Sequence, residues 1–589
     1  MSLPRESRQK TFFETAMMME ELFPAKDRYR LFRERIMPVL WKVREELCEL
    51  YDARQGRPAI EPTVMAGITV LQYMERLPDR QAAEQVRLNL GWKYALELEL
   101  DHEGIHPTSL TVFRQRLVEG GKASVVFDGV VEALQDAGLV KQRNRQRLDS
   151  THIVGNVAQM SRLEVVRESI RLALEAVDRK AYGRRPTEWA QWKERYCGSS
   201  VHYRGESVEG LKAKLAQAGT DGYGLLDWAM TQRRVVRAHE KVQLLARVLA
   251  EQFERDDADE DDVRPRRTEG AGVVKNPHDP EAEWARKSAD VRSQWTGYKV
   301  QVAETVRDGD EAKPKGEPTD QFIVDVTTTT ATTSDKEGLE QSLQAQAERG
   351  LEPPTEHFVD AAYVSGANLA AAQANGGELV GPMQHSPTAK DQYAVEAFEI
   401  DTEAKTAVCP AGRRSTQCSV INDRHQQRAY YRFEWGAQCD TCPQRNACTR
   451  SGSGRRMVSV GLHHMLVQAR RNEATTPEFQ RRMRARNGIE GTISELTRNG
   501  MRRTRYRGLA KTSLANYFHA TACNVKRWLA LMAHRCDEIG PQTPPRQPKG
   551  HFDRHFRPVT APLDWYARLA AWWLGQSCCV RRLRTSFSY

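Results

Sequence analysis

The feature that most narrows the fold is a change of hydrophobic period near residue 140. Beyond it, QRLDSTHIVGN (Gln146–Asn156) is strand-like, Tyr298–Ala303 alternates apolar with polar, and Gln321–Thr327 is β-branched and aromatic. A helix is then expected over Asp335–Arg349, a strand EHFVD ending on Asp360, a helix over Gly366–Asn375 and a short strand over Glu378–Met383. Three strands followed by helix, strand, helix and strand fit a mixed sheet flanked by helices, so the expected fold class is mixed α/β.

Upstream, the first 140 residues have helical periodicity. After the turn at Gly56–Pro58, a run from Pro62 places Val64, Ile68, Leu71 and Met74 on one stripe, with Pro62 suited to a first helical turn. Pro78-Asp79 starts a second helix through Ala82, Val86 and Leu90, ended by Gly91. A third begins near Ser109, with Leu110, Phe113 and Leu117 inward and Arg114 and Arg116 outward. Three short helices of this kind suit a helix-turn-helix-like DNA-binding module with the third as reader, or a bundle that only packs on its neighbour. Between the first strand and the rest lies a charged helical region, 158–254. It is closed by an acidic run, Asp256–Asp262, expected to be a disordered linker. Residues 540–562 are Pro-rich and expected to be flexible, with one short aromatic helix after them.

A chain of 589 residues exceeds one hydrophobic core, so two to four domains are expected. The net charge of +10 is modest, but its distribution is uneven. From Arg481 to Lys511 there are ten basic residues and two acidic ones. Such a run is either a solvated face or a phosphate-contacting surface. No secretory signal opens the chain, and no run of eighteen apolar residues occurs. A soluble, cytoplasmic protein with no membrane partner is therefore expected. Eleven cysteines, four of them clustered, fit reduced cytosol better than a disulfide framework.

Three carboxylates stand out. Asp149 sits inside an apolar strand and Asp360 at the end of another, where an acid is costly unless paired or metal-bound. Taken singly, each is more simply a capping or turn residue. Phosphodiester cleavage by two metal ions requires carboxylates that hold the ions about 4 Å apart, with hard Mg²⁺ preferring oxygen ligands. The third acid follows from helix geometry over Arg484–Arg498. At about 100° per residue from Arg486, Glu490 falls near 40° and Thr497 near 20°, beside a core stripe of Ile489, Ile493 and Leu496. Glu495 falls on the opposite, solvated side, so Glu490 is the acid at the rim of the core. Asp325 and Asp335 lie in the same neighbourhood but are explained by strand-surface and helix-start roles; Tyr298 is expected to pack, and His278 and Asp279 to shape a loop, with Lys287 on DNA backbone.

Cys439-x2-Cys442-x5-Cys448, preceded by Cys409, supplies four thiols, enough for tetrahedral zinc. Reduced thiols without metal are the alternative, and Cys418 is an alternative ligand.

Together these stretches resemble bacterial insertion-sequence transposases with a DDE catalytic domain, nearest to the insertion-sequence 1182 group. The matching segments include GRPAIEPTVMAGITVLQYMERLPDRQAAEQV, HPTSLTVFRQRL, LDSTHIVGN, WTGYKVQVAET, HFVDAAYVSGANL and RARNGIEGTISELTRNGMRRTRYRGLAK. The resemblance covers about residues 15–155 and 275–530. It implies an RNase H-like catalytic core with Asp149, Asp360 and Glu490 as the acids holding two Mg²⁺ ions, or Mn²⁺ in their place. Arg486 corresponds to the Arg of a family signature of Tyr, Arg, Glu and Lys. The Tyr position holds Met483 and the Lys position Thr497, with Arg498 adjacent. The expected division is a helical DNA-binding domain over 1–140 and the first strand of the core over 141–157. A helical insertion with acidic linker (158–270), the continued core (271–400) and a Cys-rich zinc insertion (401–460) follow. Catalytic helices (461–536) and a Pro-rich linker with a short tail (537–589) complete the chain.

The implied reaction is metal-dependent cleavage at the element's ends, then attack of the 3′-hydroxyl on target DNA. The implied partners are double-stranded DNA, as terminal inverted repeats and target, and a second copy in a synaptic dimer. Arg486, Arg498, Arg502, Arg503, Arg505, Arg507 and Lys511 would face phosphates, with Arg114 and Arg116 on the reader helix. An RNase H-like nuclease without strand transfer, and a non-catalytic DNA-binding protein, remain the alternatives.

Overall fold

The computed structural model describes residues 2–3, 15–52, 56–158, 160–178, 185–198, 206–255, 263–267, 272–287, 290, 293–307, 316–384, 392–423 and 428–539. The acidic run Asp256–Asp262, the Pro-rich segment and the aromatic tail lie outside them. Among the described residues, no helix is long and apolar enough to cross a membrane.

The central sheet has six strands: β1 (Arg145–Val154), β2 (Glu283–Arg286), β3 (Gln294–Val306), β4 (Ile323–Thr330), β5 (Glu356–Phe358) and β6 (Glu378–Val380). β1 pairs antiparallel with β3, Asp149 facing Val302, and β3 pairs antiparallel with β2 and β4. On its other edge β1 pairs parallel with β5, and β5 with β6. The main order is therefore β4-β3-β1-β5-β6. Parallel pairing demands crossover connections. The helices Asp335–Glu348 and Gly366–Ala374 lie on the chain path into β5 and β6. Ser334 caps the first of these in a reciprocal capping box with Glu337.

The three expected N-terminal helices form as Pro62–Glu75, Asp79–Leu88 and Pro107–Glu119. Gly91 does not end the second. Asn89 caps a further helix, Leu90–Ala95, in which Gly91 is buried against Tyr29, leaving no room for a Cβ. Phe113 and Leu117 of the third helix join Val300, Val302 and Phe518 in one apolar cluster, so N-terminal helices, sheet and final helix share a core. Arg114 corrects the expected outward placement. It follows Leu110 by four residues and precedes Leu117 by three, on the same stripe, and is buried with Nη2 2.5 Å from Asp79. Arg116 lies over the Tyr51 ring at 4.4 Å.

The helices Arg162–Asp178, Trp189–Cys197, Val208–Thr231 and Glu240–Gln252 surround a separate cluster that includes Ile170, Trp192, Leu225 and Leu245. Strands Glu399–Asp401 and Thr406–Val408 pair antiparallel beside a second small sheet. Strands Gln417–Asp423, Arg428–Glu434 and Met457–Gly461 form an antiparallel sheet over Phe398, Phe433 and Trp435.

Candidate active site

β1 projects Asp149 from the middle of the sheet, partly buried, with Oδ1 accepting from the Ser150 backbone N–H at 2.7 Å. Asp360 lies two residues beyond the C-terminal end of β5, the strand beside β1, and Oδ1 accepts from the Ala362 N–H at 2.8 Å. The two acids are close enough to interact. Burial pushes the Asp149 carboxyl up, the Asp360 charge adds to this, and Arg486 and Lys287 oppose it. Asp335, assigned from sequence only to a helix start, belongs to the same neighbourhood. Its Oδ1 accepts from Ser150 Oγ at 3.1 Å and from Lys299 Nζ at 3.3 Å. The buried Tyr363 hydroxyl is raised by burial first, then by Asp335, Asp149 and Asp360. Parallel pairing of β1 with β5 brings Asp149 and Asp360 together, the Ser150 contact adds Asp335, and no local sequence signal joins Asp335 to the other two.

The continuous helix expected over Arg484–Arg498 is not what forms. The chain runs through a tight 3₁₀ turn, Met483–Asn487, an α-helix, Gly488–Leu496, and a wider π turn, Thr497–Met501, ended by Gly500 at φ 109°. The burial pattern survives: Ile489 and Leu496 are fully buried and Ile493 packs on the same core. Arg486 sits in the 3₁₀ turn, and Nη2 donates to Asp149 Oδ2 at 2.8 Å. Glu490 lies four residues later with an exposed side chain that makes no hydrogen bond or ion pair among the described residues. Glu495 is not merely solvated, because Arg527 Nη2 of the final helix reaches it at 2.9 Å.

That contact belongs to a buried cluster. Glu304 of β3, 1% exposed, accepts from Arg147 Nε of β1 at 2.7 Å, from Thr492 Oγ1 and from Arg527 Nη1, the last two at 2.5 Å. Arg147 Nη1 also donates to the Ala485 carbonyl at 3.2 Å. A Cβ on Gly488 would collide with the Arg147 guanidinium, which would have to shift to admit it. The cluster fastens the Glu490 helix to the strand carrying Asp149. Asp325 is likewise no surface acid: it is fully buried, with Arg349 Nη1 at 2.6 Å and Ser342 Oγ at 2.6 Å.

Among the sequence-predicted basic residues, Arg502 packs inward, its Nη1 donating to Thr151 Oγ1 at 2.9 Å and to the His152 carbonyl at 3.1 Å. Burial and the Arg502 charge hold the His152 ring down to about 4. Arg498, Arg503, Arg505, Arg507 and Lys511 are exposed. Met483 packs its side chain with Phe358 and Val380, and Thr497 Oγ1 is buried without a partner. Tyr298 packs as expected and donates to Asp279 at 2.6 Å; Asp279 also accepts from the Gly508 N–H.

Among the described residues, no group of three or more His, Cys, Asp or Glu side chains is arranged to hold a metal ion. Arg486 occupies one oxygen of Asp149, and Glu490 stands outside the Asp149–Asp360 pair. The donor chemistry nevertheless suits a hard cation, since two interacting carboxylates with a buried member gain from a positive charge beside them. Cys409, Cys439, Cys442 and Cys448 line one cavity of about 20 Å³, and Cys418 does not. Burial pushes the Cys448 thiol up, and Cys439, Cys409 and Cys442 add to the shift. Four converging thiols suit a soft cation, although they too stand outside a closed ligand group.

Two family models match the chain. Residues 17–116 match a model described as transposase domain (DUF772), and residues 408–529 match one described as transposase DDE domain. The second match includes the cysteine cluster and Glu490; Asp149 and Asp360 lie outside both. No curated protein matches the chain in sequence.

Proposed function

Starting from a chain that belongs with the DDE-type insertion-sequence transposases, we propose that it cuts DNA at the ends of an insertion sequence and joins the freed 3′-hydroxyl to target DNA. The observation that carries this reading is the interaction of Asp149 on β1 with Asp360 just past the end of the parallel neighbour β5, with Arg486 on Asp149 and Glu490 one turn beyond. The strand order β4-β3-β1-β5-β6, its first three members antiparallel and its last two parallel to β1, supports an RNase H-like core.

Asp149, Asp360 and Glu490 would hold Mg²⁺, or Mn²⁺ in its place, which supplies activation of the attacking water or hydroxyl and stabilisation of the leaving oxygen. The protein's own part is positional. Ser150 N–H and Ala362 N–H orient the two aspartates, and Arg486 neutralises charge at Asp149 and is placed to pass to a phosphate oxygen. Arg498, Arg503, Arg505, Arg507 and Lys511 supply cations for the backbone of double-stranded DNA, at terminal repeats and target. Arg502 and Arg114 hold the fold. A synaptic homodimer and a zinc ion on the four cysteines belong to the same reading, as does a cytoplasmic, nucleoid-associated location; assignment to the insertion-sequence 1182 group rests on the quoted motifs.

The test is cleavage of inverted-repeat DNA with Mg²⁺ by the wild type and Asp149→Asn, followed by supply of a 3′-hydroxyl end and a search for joined product. Equal cleavage by both proteins would remove the assigned site. Cleavage without joining would leave a nuclease. A second reading, a DNA-binding protein without catalysis, is favoured by the Arg486–Asp149 pair and the apolar packing of Met483; DNA retention with no cleavage would establish it.

A further inference from the structure

Arg76, Arg498, Arg503 and Arg505 line one cavity of about 180 Å³ whose walls include Tyr73, Tyr506 and His519, and no carboxylate lines it. Arg76 ends the helix Pro62–Glu75 in the left-handed conformation, φ 57°, and its Nη1 donates to the Arg498 carbonyl at 3.0 Å. The other three arginines come from the π turn and the segment after it. Gathered on a concave wall, four such heads raise a positive potential that an anion relieves, and guanidinium geometry matches phosphate oxygens. The nearby Asp79 is already taken by Arg114.

A second observation points to a ligand. His519 Nδ1 is shielded from solvent and has no hydrogen-bond partner, although the ring lines the cavity. Burial, with Arg505 and Lys526, holds that ring down to about 3, so it is neutral and one ring nitrogen is an acceptor while the other carries hydrogen. The site is also tied to the aspartates. Val154 N–H, at the end of β1, donates to the Arg502 carbonyl at 2.9 Å, and Thr504 N–H donates to the Val154 carbonyl at 3.1 Å. A phosphate seated among Arg76, Arg503 and Arg505 would thereby be held in fixed register with the strand that carries Asp149.

We propose that this cavity is a discrete phosphate-binding site, shared by the N-terminal helices and the segment after the Glu490 helix, that seats one phosphate of a nucleic-acid strand. The nucleic-acid identity of the ligand rests on the transposase reading; the phosphate chemistry does not. The phosphate is either an internal diester or a terminal 5′-monoester.

Two measurements on the full chain test this. In the first, arginine modification by phenylglyoxal is followed by mass spectrometry with and without inorganic phosphate. Phosphate should slow modification at Arg76, Arg503 and Arg505 by about threefold or more relative to Arg80, an exposed arginine of the next helix that does not line the cavity. In the second, binding of a duplex with and without a 5′-phosphate is measured against salt for the wild type, Arg76→Ala and Arg80→Ala. The salt slope should fall by about 1 for Arg76→Ala and stay unchanged for Arg80→Ala. Dependence on the 5′-phosphate identifies the monoester; independence identifies the diester. Equal reactivity of all four arginines with phosphate present overturns the site, even if DNA binds. Protection without DNA binding keeps the site and removes the transposase reading.

Discussion

Arg486 donates to Asp149 Oδ2 at 2.8 Å, joining the turn before Glu490 to the first strand of the sheet. Burial and the Asp360 charge push the Asp149 carboxyl up, and this guanidinium is the largest influence opposing that rise. Arg486→Ala should therefore reduce Mg²⁺-dependent cleavage by about 10- to 100-fold, the range expected for losing one charge-assisted contact. Arg486→Lys should restore part of it. A rate equal to the wild type in Arg486→Ala would assign Arg486 to surface charge alone.

The Glu304 cluster predicts where stability is most fragile. Removing one member of a buried ion pair leaves the other charge unpaired and costs about 3–5 kcal/mol. Arg527→Ala strips Glu304 and Glu495 of a partner together, but Glu304 keeps Arg147, so the loss in denaturant unfolding should lie at the lower end of that range. Glu495→Gln should cost far less, because Glu495 is partly open to solvent. Equal losses would mean that Arg527 acts through its packing rather than its charge.

Acid should unfold the protein through histidines that are buried neutral. Burial holds His357 down to about 4, against about 6.5 in an unfolded chain. Its folded-state value is depressed, so the unfolded chain binds more protons between these values. The contribution is fully present above about pH 6.5 and is lost as pH falls toward 4, amounting to about 3 kcal/mol. His519 and His152 act in the same direction. His357→Leu should be less sensitive than the wild type when unfolding at pH 5 is compared with pH 7.5. An unchanged difference would place the acid sensitivity elsewhere.

The sheet was legible because strand periodicity and turn residues are local signals. Helices Asp335–Glu348 and Gly366–Ala374 form within a residue of their expected bounds, and β3 only extends beyond Tyr298–Ala303. Buried charge was not legible. Asp325, Arg114 and Glu495 each look solvent-facing in isolation, and each is held by a partner 17 or more residues away in sequence: Ser342, Asp79 and Arg527. Asp335 was missed for the same reason, since its link to Ser150 spans 185 positions. The segment around Glu490 reads as one continuous helix because periodicity does not distinguish 3₁₀, α and π turns over so few residues. Arg486 was still placed beside the acids, because the apolar residues of that segment keep one face buried throughout.

The change of helix type at Gly488 gives the last prediction. A Cβ there would collide with the Arg147 guanidinium, and Arg147 is not free to swing aside while it holds Glu304, Gln321 and the Ala485 carbonyl. Gly488→Ala must therefore break a contact of Arg147 or push the Glu490 helix off β1, at a cost of about 1–3 kcal/mol. The two outcomes separate experimentally. Loss of the Arg147 contact lowers stability but leaves Glu490 in place, so cleavage at a temperature where the variant is folded should match the wild type. Displacement of the helix lowers cleavage even there. Because Arg147 lies two residues from Asp149 on the same face of β1, displacement is the expected outcome, with cleavage falling about tenfold or more. Wild-type cleavage by folded Gly488→Ala would show that the position of Glu490 does not depend on this clasp.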